Sequence, residues 1–362
     1  MNAHDDATRS TEETVFSLHA AVSTQTVRFG TNRKYVGPPD QFGSDFEWGP
    51  NDTRYHAGTI TIPRPLQQVT LTQRTAAAEA TQSKVDLAQE PRKVIRDFLD
   101  DASHQGRIAY AGSRQSLVFI HGYAFKFIEI ADVEAAIVSN YGSPNNLFFS
   151  WPSYGNHFKY PEDRTHAYGS GAAAGQFLRD LLDEVAAAEI PPRLSLICHS
   201  MGNRVMSSIA QALKDPKYLK PYFEHILLFA ADEDYAAFND PGKLRPVLQM
   251  YKHSLNIYTN GNDGALAAGQ LANGFTPELG QYGPYSFPLQ DDYGAAITSA
   301  FWLNCTGVAD SIGGTLGHQY FRLSPEAMAD ARHVLEGLPP AAIPGRERDN
   351  DYGGQRYTIK AS

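Results

Sequence analysis

Ser200 lies in the stretch Arg193–Asn203, which reads Arg-Leu-Ser-Leu-Ile-Cys-His-Ser-Met-Gly-Asn. An apolar run ends in His-Ser-Met-Gly, and a helical pattern begins at once. That is the order strand, sharp turn, helix. It lifts a hydroxyl clear of a sheet edge, where a base can reach it. The helix start also directs free backbone N–H groups to the same place, and these suit a developing oxyanion. The usual pattern for such a turn is Gly-x-Ser-x-Gly, and Cys198 stands at the first glycine. Taken alone, the stretch also fits a plain strand-to-helix connection with a capping serine.

Groups that could work with Ser200 follow other apolar runs. In a parallel sheet, reactive side chains gather at the carboxyl ends of the strands. After successive runs stand His121-Gly122-Tyr123, Trp151-Pro152-Ser153, Ser200, Asp232 and Asp263, and then His318 in a loop behind a glycine-rich turn. Ser200 would attack an acyl carbonyl. His318 would take the proton and return it to the leaving group, and a carboxylate would fix the histidine tautomer. Asp263 follows the second strand after the serine, the usual place for that acid, and Asp232 is the alternative. Asp263 can also be read as a turn residue in Asn-Gly-Asn-Asp-Gly, and Asp232 as a helix cap. Of the other histidines, His121 is expected to brace its loop, His199 to be held by the turn, and His157 to face solvent.

Two backbone N–H groups are needed for the oxyanion. Met201 supplies one, and Tyr123 or its neighbour Ala124 the other, with Gly122 allowing close approach. Tyr123, Phe125, Trp151, Tyr154 and Tyr160 gather near the same edge. They read either as an apolar substrate pocket or as packing beneath a long loop. Gly169-Ser-Gly-Ala-Ala-Ala-Gly175 lacks dinucleotide spacing, and no His-Glu-x-x-His, Gly-Lys-Ser/Thr or paired-cysteine motif occurs. No metal or other cofactor is therefore expected.

The elements that must position these groups alternate. Strands are predicted at Thr26–Gly30, Gly58–Pro63, Ser116–Ile120, Leu147–Trp151, before Ser200, and at His225–Ala230, Asn256–Thr259 and Ala300–Cys305. Helices are predicted at Val94–Ala102, Asp132–Ser139, Ala167–Glu189, from Ser200 to about Leu213, and at Ala265–Ala272 and Ser324–Leu338. Lys34–His56 reads as a long loop or hairpin connection, and Pro152–His166 as a loop. The pattern implies an α/β fold, a mostly parallel central sheet with helices on both faces. Residues 14–338 are expected to form one domain. Residues 1–13 read as disordered, 66–92 as a cap or surface insertion, and 339–362 as a polar tail. With 42% hydrophobic residues the chain can bury a sizeable core, and its net charge of −9 argues against a nucleic-acid surface. Neither a signal peptide nor a bilayer-length apolar run is visible, so a cytoplasmic protein is expected.

The chain resembles DUF900, a bacterial family of α/β-hydrolase proteins. The resemblance is carried by Gly30-Thr-Asn-Arg-Lys34, Thr59-Ile-Thr-Ile-Pro63, Val118-Phe-Ile-His-Gly-Tyr123, Phe149-Ser-Trp-Pro-Ser153, Ile197-Cys-His-Ser-Met-Gly-Asn-Arg204, Asn262-Asp-Gly-Ala-Leu266 and Gly317-His318. It implies an α/β-hydrolase domain with Ser200, Asp263 and His318 at the triad positions, and esterase-type activity. The chain departs from the family at Ala124, where asparagine is frequent, and at Cys198, where alanine or glycine is usual. The expected function is a serine hydrolase acting on a small-molecule carboxylic ester with an apolar or aromatic group. A thioesterase or acyltransferase would use the same triad, and a catalytically silent binding module is the rival from another class. Oligomeric state is not legible.

Overall fold

Runs such as Ser116–Ile120, Asn146–Ser150 and Phe223–Phe229 are buried along their whole length, so they form strands covered on both faces. The computed structural model describes residues 23–64, 84–108, 116–143, 145–239, 241–309 and 316–361. The expected disordered terminus 1–13, and residues 66–83 of the expected insertion, lie outside the described residues.

The strands are β1 (Ser23–Thr31), β2 (Arg33–Gly37), β3 (Gln41–Phe46), β4 (His56–Arg64), β5 (Lys84–Leu87), β6 (Ser116–Ile120), β7 (Asn146–Ser150), β8 (Leu194–His199), β9 (Phe223–Phe229), β10 (Tyr251–Thr259), β11 (Ala300–Asn304), β12 (Arg346–Asp349) and β13 (Arg356–Ile359). The main helices are α1 (Pro91–Ile108), α2 (Phe127–Tyr141), α3 (Tyr160–Gly169), α4 (Gly171–Ala187), α5 (Gly202–Ala212), α6 (Gly264–Ala272) and α7 (Pro325–Leu335). Eleven strands form one sheet in the order β12-β13-β11-β10-β9-β8-β6-β7-β1-β4-β5, and β2 pairs with β3 apart from it. The central pairs from β13 to β1 are parallel, and the outer pairs β12–β13, β1–β4 and β4–β5 are antiparallel. The fold is thus the α/β arrangement expected from alternating strand and helix patterns.

Alternation along the strands divides the core. Val118, Ile120, Leu196, Cys198, Ile226 and Leu228 pack on one face with Phe98 of α1, Leu181 of α4 and Val205 of α5. Leu117, Phe119, Ile197, Leu227 and Phe229 pack on the other with Ile130 of α2 and Val334 of α7. Each Val, Leu, Ile or Phe among them contributes about 1.5–3 kcal/mol on burial. A one-residue slip would move every one of them to the wrong face, so the register is firmly set. Among the described residues no helix is long and apolar enough to cross a membrane.

Three stretches depart from expectation. Pro152–His166 is not all loop: a short turn at His157–Lys159 leads into α3, with Pro161 in its first turn followed by Glu162 and Asp163. Proline there has no N–H to leave unpaired, and the acids suit the helix dipole. Residues 84–87 of the expected insertion form edge strand β5 on β4. Residues 346–359 of the expected polar tail carry β12 and β13, which extend the sheet beyond β11. Only Tyr357 and Ile359 of β13 are buried, so its apolar signal is two residues long. The buried ion pair of Arg346 with Asp330, at 2.6 Å, ties this edge to α7.

Candidate active site

Ser200 follows directly on β8, a strand buried throughout, and α5 starts two residues later. The turn between them forces Ser200 to φ +53°, a left-handed conformation that costs a non-glycine residue about 1–3 kcal/mol. Neighbouring backbone holds it there. The Ser200 N–H donates to Phe229 O at 2.9 Å. Ser200 O accepts from Asn203 Nδ2 at 2.9 Å and from the Asp232 N–H at 3.2 Å. Two glycines let other chain segments close in. A Cβ on Gly202 would sit 2.4 Å from Ile120 O, and one on Gly122 would sit 2.8 Å from Ser200 Cβ. Cys198 is fully buried among core side chains, and burial pushes its thiol well up, so it is not a competing nucleophile.

His318 is carried by a loop fastened to the β10–α6 turn. Leu316 and Gly317 both have positive φ, Asn260 Nδ2 donates to Gly317 O at 2.7 Å, and the Gly264 N–H donates to Leu316 O at 2.9 Å. That same turn carries Asp263. The structure brings all three expected residues together: His318 Nε2 is 2.8 Å from Ser200 Oγ, and His318 Nδ1 is 2.7 Å from Asp263 Oδ2. With Nδ1–H donating to the carboxylate, Nε2 is left to accept from the hydroxyl. Both readings of Asp263 hold together, because its Oδ1 caps α6 by accepting from the N–H groups of Ala265 and Leu266. Burial by itself would lower the pKa of His318. The charge of Asp263 and its hydrogen bond outweigh burial, Asp232 adds to them, and the net direction is upward. The other histidine after Asp263, His333, is on α7.

Asp232 is placed elsewhere. Its Oδ1 receives Arg204 Nη2 at 2.6 Å, and the Tyr160 hydroxyl lies 2.9 Å from both of its oxygens. Arg204 also reaches Glu278, whose carboxyl is pushed up by burial and by the charge of Asp232. Asn273 donates to both Tyr160 and Glu278. This buried network is not visible in the sequence, because Tyr160, Arg204, Asp232 and the Asn273–Glu278 connection come from four separate segments. Among the described residues no group of three or more His, Cys, Asp or Glu side chains is placed to hold a metal ion.

The three other histidines near the site have neighbours of their own. His121 Nδ1 is 2.6 Å from Gly122 O, and its Nε2 accepts the Trp151 N–H at 3.1 Å. His199 is buried, with its Nε2 3.3 Å from His318 O. Burial and the charge of His318 hold its pKa well down. His157 is exposed and lies edge-on to Tyr123 at 5.7 Å. For the oxyanion pair, Ala124 is ruled out, since its N–H already donates to Asp163 Oδ2 at 3.0 Å. In the described structure no hydrogen bond occupies the N–H of Tyr123 or of Met201.

The five expected pocket aromatics separate. Tyr123 and Tyr160 meet edge to face at 5.4 Å. Tyr154 instead stacks on His166, and Phe125 packs toward the α2 side of the core. Trp151 is 0% exposed, stacks on His121 at 5.1 Å and donates from Nε1 to His121 O. It is a core residue, since a ring covered on every side has no surface to offer a substrate.

Comparisons with known proteins bear on the fold and the family. No curated protein is similar to the chain in sequence. Among solved structures, a Trichoderma reesei cutinase in complex with a phosphonate inhibitor is 14% identical over 39% of this chain and 64% of its own, with a TM-score of 0.23. Phospholipase PlaB from Legionella pneumophila is 14% identical over 56% of this chain and 42% of its own, with a TM-score of 0.25. The chain thus spans less than two thirds of the length of either. Residues 102–336, more than half of the chain, match the family described as alpha/beta hydrolase of unknown function, DUF900; the span holds strands β6 to β11 and the Ser200 turn, and the chain belongs to this family.

Proposed function

We propose that the protein is a serine hydrolase that cleaves carboxylic esters through an acyl-enzyme. The observation that carries this reading is the pair of short contacts, Ser200 Oγ to His318 Nε2 and His318 Nδ1 to Asp263 Oδ2, with Ser200 held in a strained turn at the sheet centre. In this reading His318 takes the hydroxyl proton as Ser200 Oγ bonds to the acyl carbon. The carbonyl oxygen becomes an oxyanion beside the Met201 and Tyr123 N–H groups. His318 then gives its proton to the departing alcohol. Water repeats the sequence on the acyl-serine and releases the acid. The Tyr123–Tyr160 pair supplies an apolar wall for one side of the ester.

A fluorophosphonate probe tests the nucleophile directly. The folded protein is expected to gain one adduct, which peptide mass spectrometry locates on Ser200. A folded protein that stays unlabelled would sink the reading and leave a silent binding module.

The acid limb of the pH profile gives a second test. His318 must be neutral to accept a proton, so kcat/KM should rise as pH climbs through its pKa. The Asp263 charge raises that pKa above the ordinary 6.5, so the limb is expected above 6.5. Initial rates on p-nitrophenyl acetate would measure it, and a limb below 6.5 would contradict the assigned base.

A further inference from the structure

The loop after β6 is held by more bonds than a strand connection requires. Asp163, in the first turn of α3, is wholly buried. Its Oδ2 accepts from the Ala124 N–H at 3.0 Å and from the Ser153 hydroxyl at 2.6 Å, and its Oδ1 accepts from the Tyr154 N–H at 2.8 Å. Ser153 Oγ in turn accepts from the Phe125 N–H at 3.1 Å. Arg33, buried at the start of β2, donates to Phe125 O at 2.8 Å and to Ser153 O at 2.9 Å. Between these anchors Ala124 sits at φ +59°, a conformation a non-glycine residue keeps only where its surroundings impose it. Two consecutive N–H groups, those of Ala124 and Phe125, are therefore tied down. The one before them belongs to Tyr123. It directly follows Gly122, which lies so close to Ser200 that a side chain would collide.

We propose that Asp163 is a positioning residue for oxyanion stabilisation: by holding the Ala124 N–H and, through Ser153, the Phe125 N–H, it keeps the Tyr123 N–H free beside Ser200. Asp163 acts through the loop and touches no reacting atom. The proposal rests on the reading of Ser200 as an acyl-transfer nucleophile. The asparagine variant weakens this hold in either orientation of its amide, because every acceptor it keeps is uncharged. An amide has one oxygen, so its NH2 must oppose either the Ala124 or the Tyr154 N–H, donor against donor.

The test is Asp163→Asn assayed on p-nitrophenyl acetate, with circular dichroism to establish folding. A misplaced donor weakens the transition state far more than the ground state. The expected result is a kcat lower by about 100-fold with KM changed less than about threefold. The acid limb should stay at its wild-type pH, because the His318–Asp263 pair is untouched. A general distortion of the site would move that limb and KM together, and such an outcome overturns the proposal, as does a folded variant with wild-type kcat. Should Asp163→Asn fail to fold, Ser153→Ala removes one of the two anchors and leaves the charge facing Arg33 intact. It is expected to lower kcat about tenfold, again at constant KM and pH limb, and an unchanged kcat overturns the proposal. A wild-type protein that neither hydrolyses the ester nor takes the fluorophosphonate sinks the hydrolase reading and this proposal together. An active, labelled wild type beside an unimpaired Asp163→Asn sinks this proposal alone.

Discussion

Replacing Ser200 with alanine is expected to lower ester turnover by a factor on the order of 10⁶ while leaving the fold in place. The size follows from the role. The hydroxyl is the atom that bonds to the acyl carbon, and no nearby group can replace it. Cys198 is buried with its thiol pushed up, and Ser207 and Ser208 lie further along α5. The structural cost is small by comparison. Ser200 Oγ has one hydrogen bond, to His318, and losing it is worth about 1 kcal/mol. The backbone bonds that hold the turn, from the Ser200 N–H to Phe229 O and from the Asp232 N–H to Ser200 O, do not involve the side chain. The measurement is kcat on p-nitrophenyl acetate beside a thermal melt. A folded Ser200→Ala variant within tenfold of wild type would mean that the hydrolysis arises elsewhere.

Asp263→Asn is expected to cost about 10⁴ in kcat, and the reason is a tautomer. Asp263 Oδ1 caps α6, so an asparagine there turns its one carbonyl oxygen to the Ala265 and Leu266 N–H groups. Its NH2 then faces His318 Nδ1. That nitrogen must become the acceptor, which moves the ring proton to Nε2. Nε2 then donates toward Ser200 instead of taking its proton. Asp263 is the leading cause of the upward shift at His318, so the acid limb of any residual activity should also fall. Asp232→Asn makes the contrast. It breaks a buried pair with Arg204, which should lower stability by about 3–5 kcal/mol, while kcat of the folded fraction changes far less. Stopped-flow or steady-state rates with a thermal melt of each variant separate the two. A larger kcat loss in Asp232→Asn than in Asp263→Asn would reassign the acid.

The parts of this molecule legible from its residues alone are those set by near neighbours in the chain. Ser116–Ile120 and the run before Ser200 read as buried strands because no residue in them needs water. His-Ser-Met-Gly at the end of one reads as a sharp turn because a helical pattern follows at once. Order along the chain then ranks Asp263 above Asp232. What sequence could not decide was which side chains meet. Asp232 and Asp263 both follow strands. The choice between them depends on Arg204, which sits on α5 and takes Asp232, and on a loop that brings His318 back to the β10–α6 turn. Trp151 and Tyr160 look alike as aromatics near one sheet edge, yet one is stacked inside the core on His121 and the other lies edge-on to Tyr123. Asp163 reads as one more polar residue in a long segment until folding sets it beneath Ala124. Strand β13 has two buried apolar residues, too few to stand out from a polar terminus, and β11 is what makes it a strand. Local pattern records whether a residue is buried and how the backbone turns. Partners 28 to 118 residues apart are chosen by the register of the sheet and the seating of loops, and that choice exists only once the chain has folded.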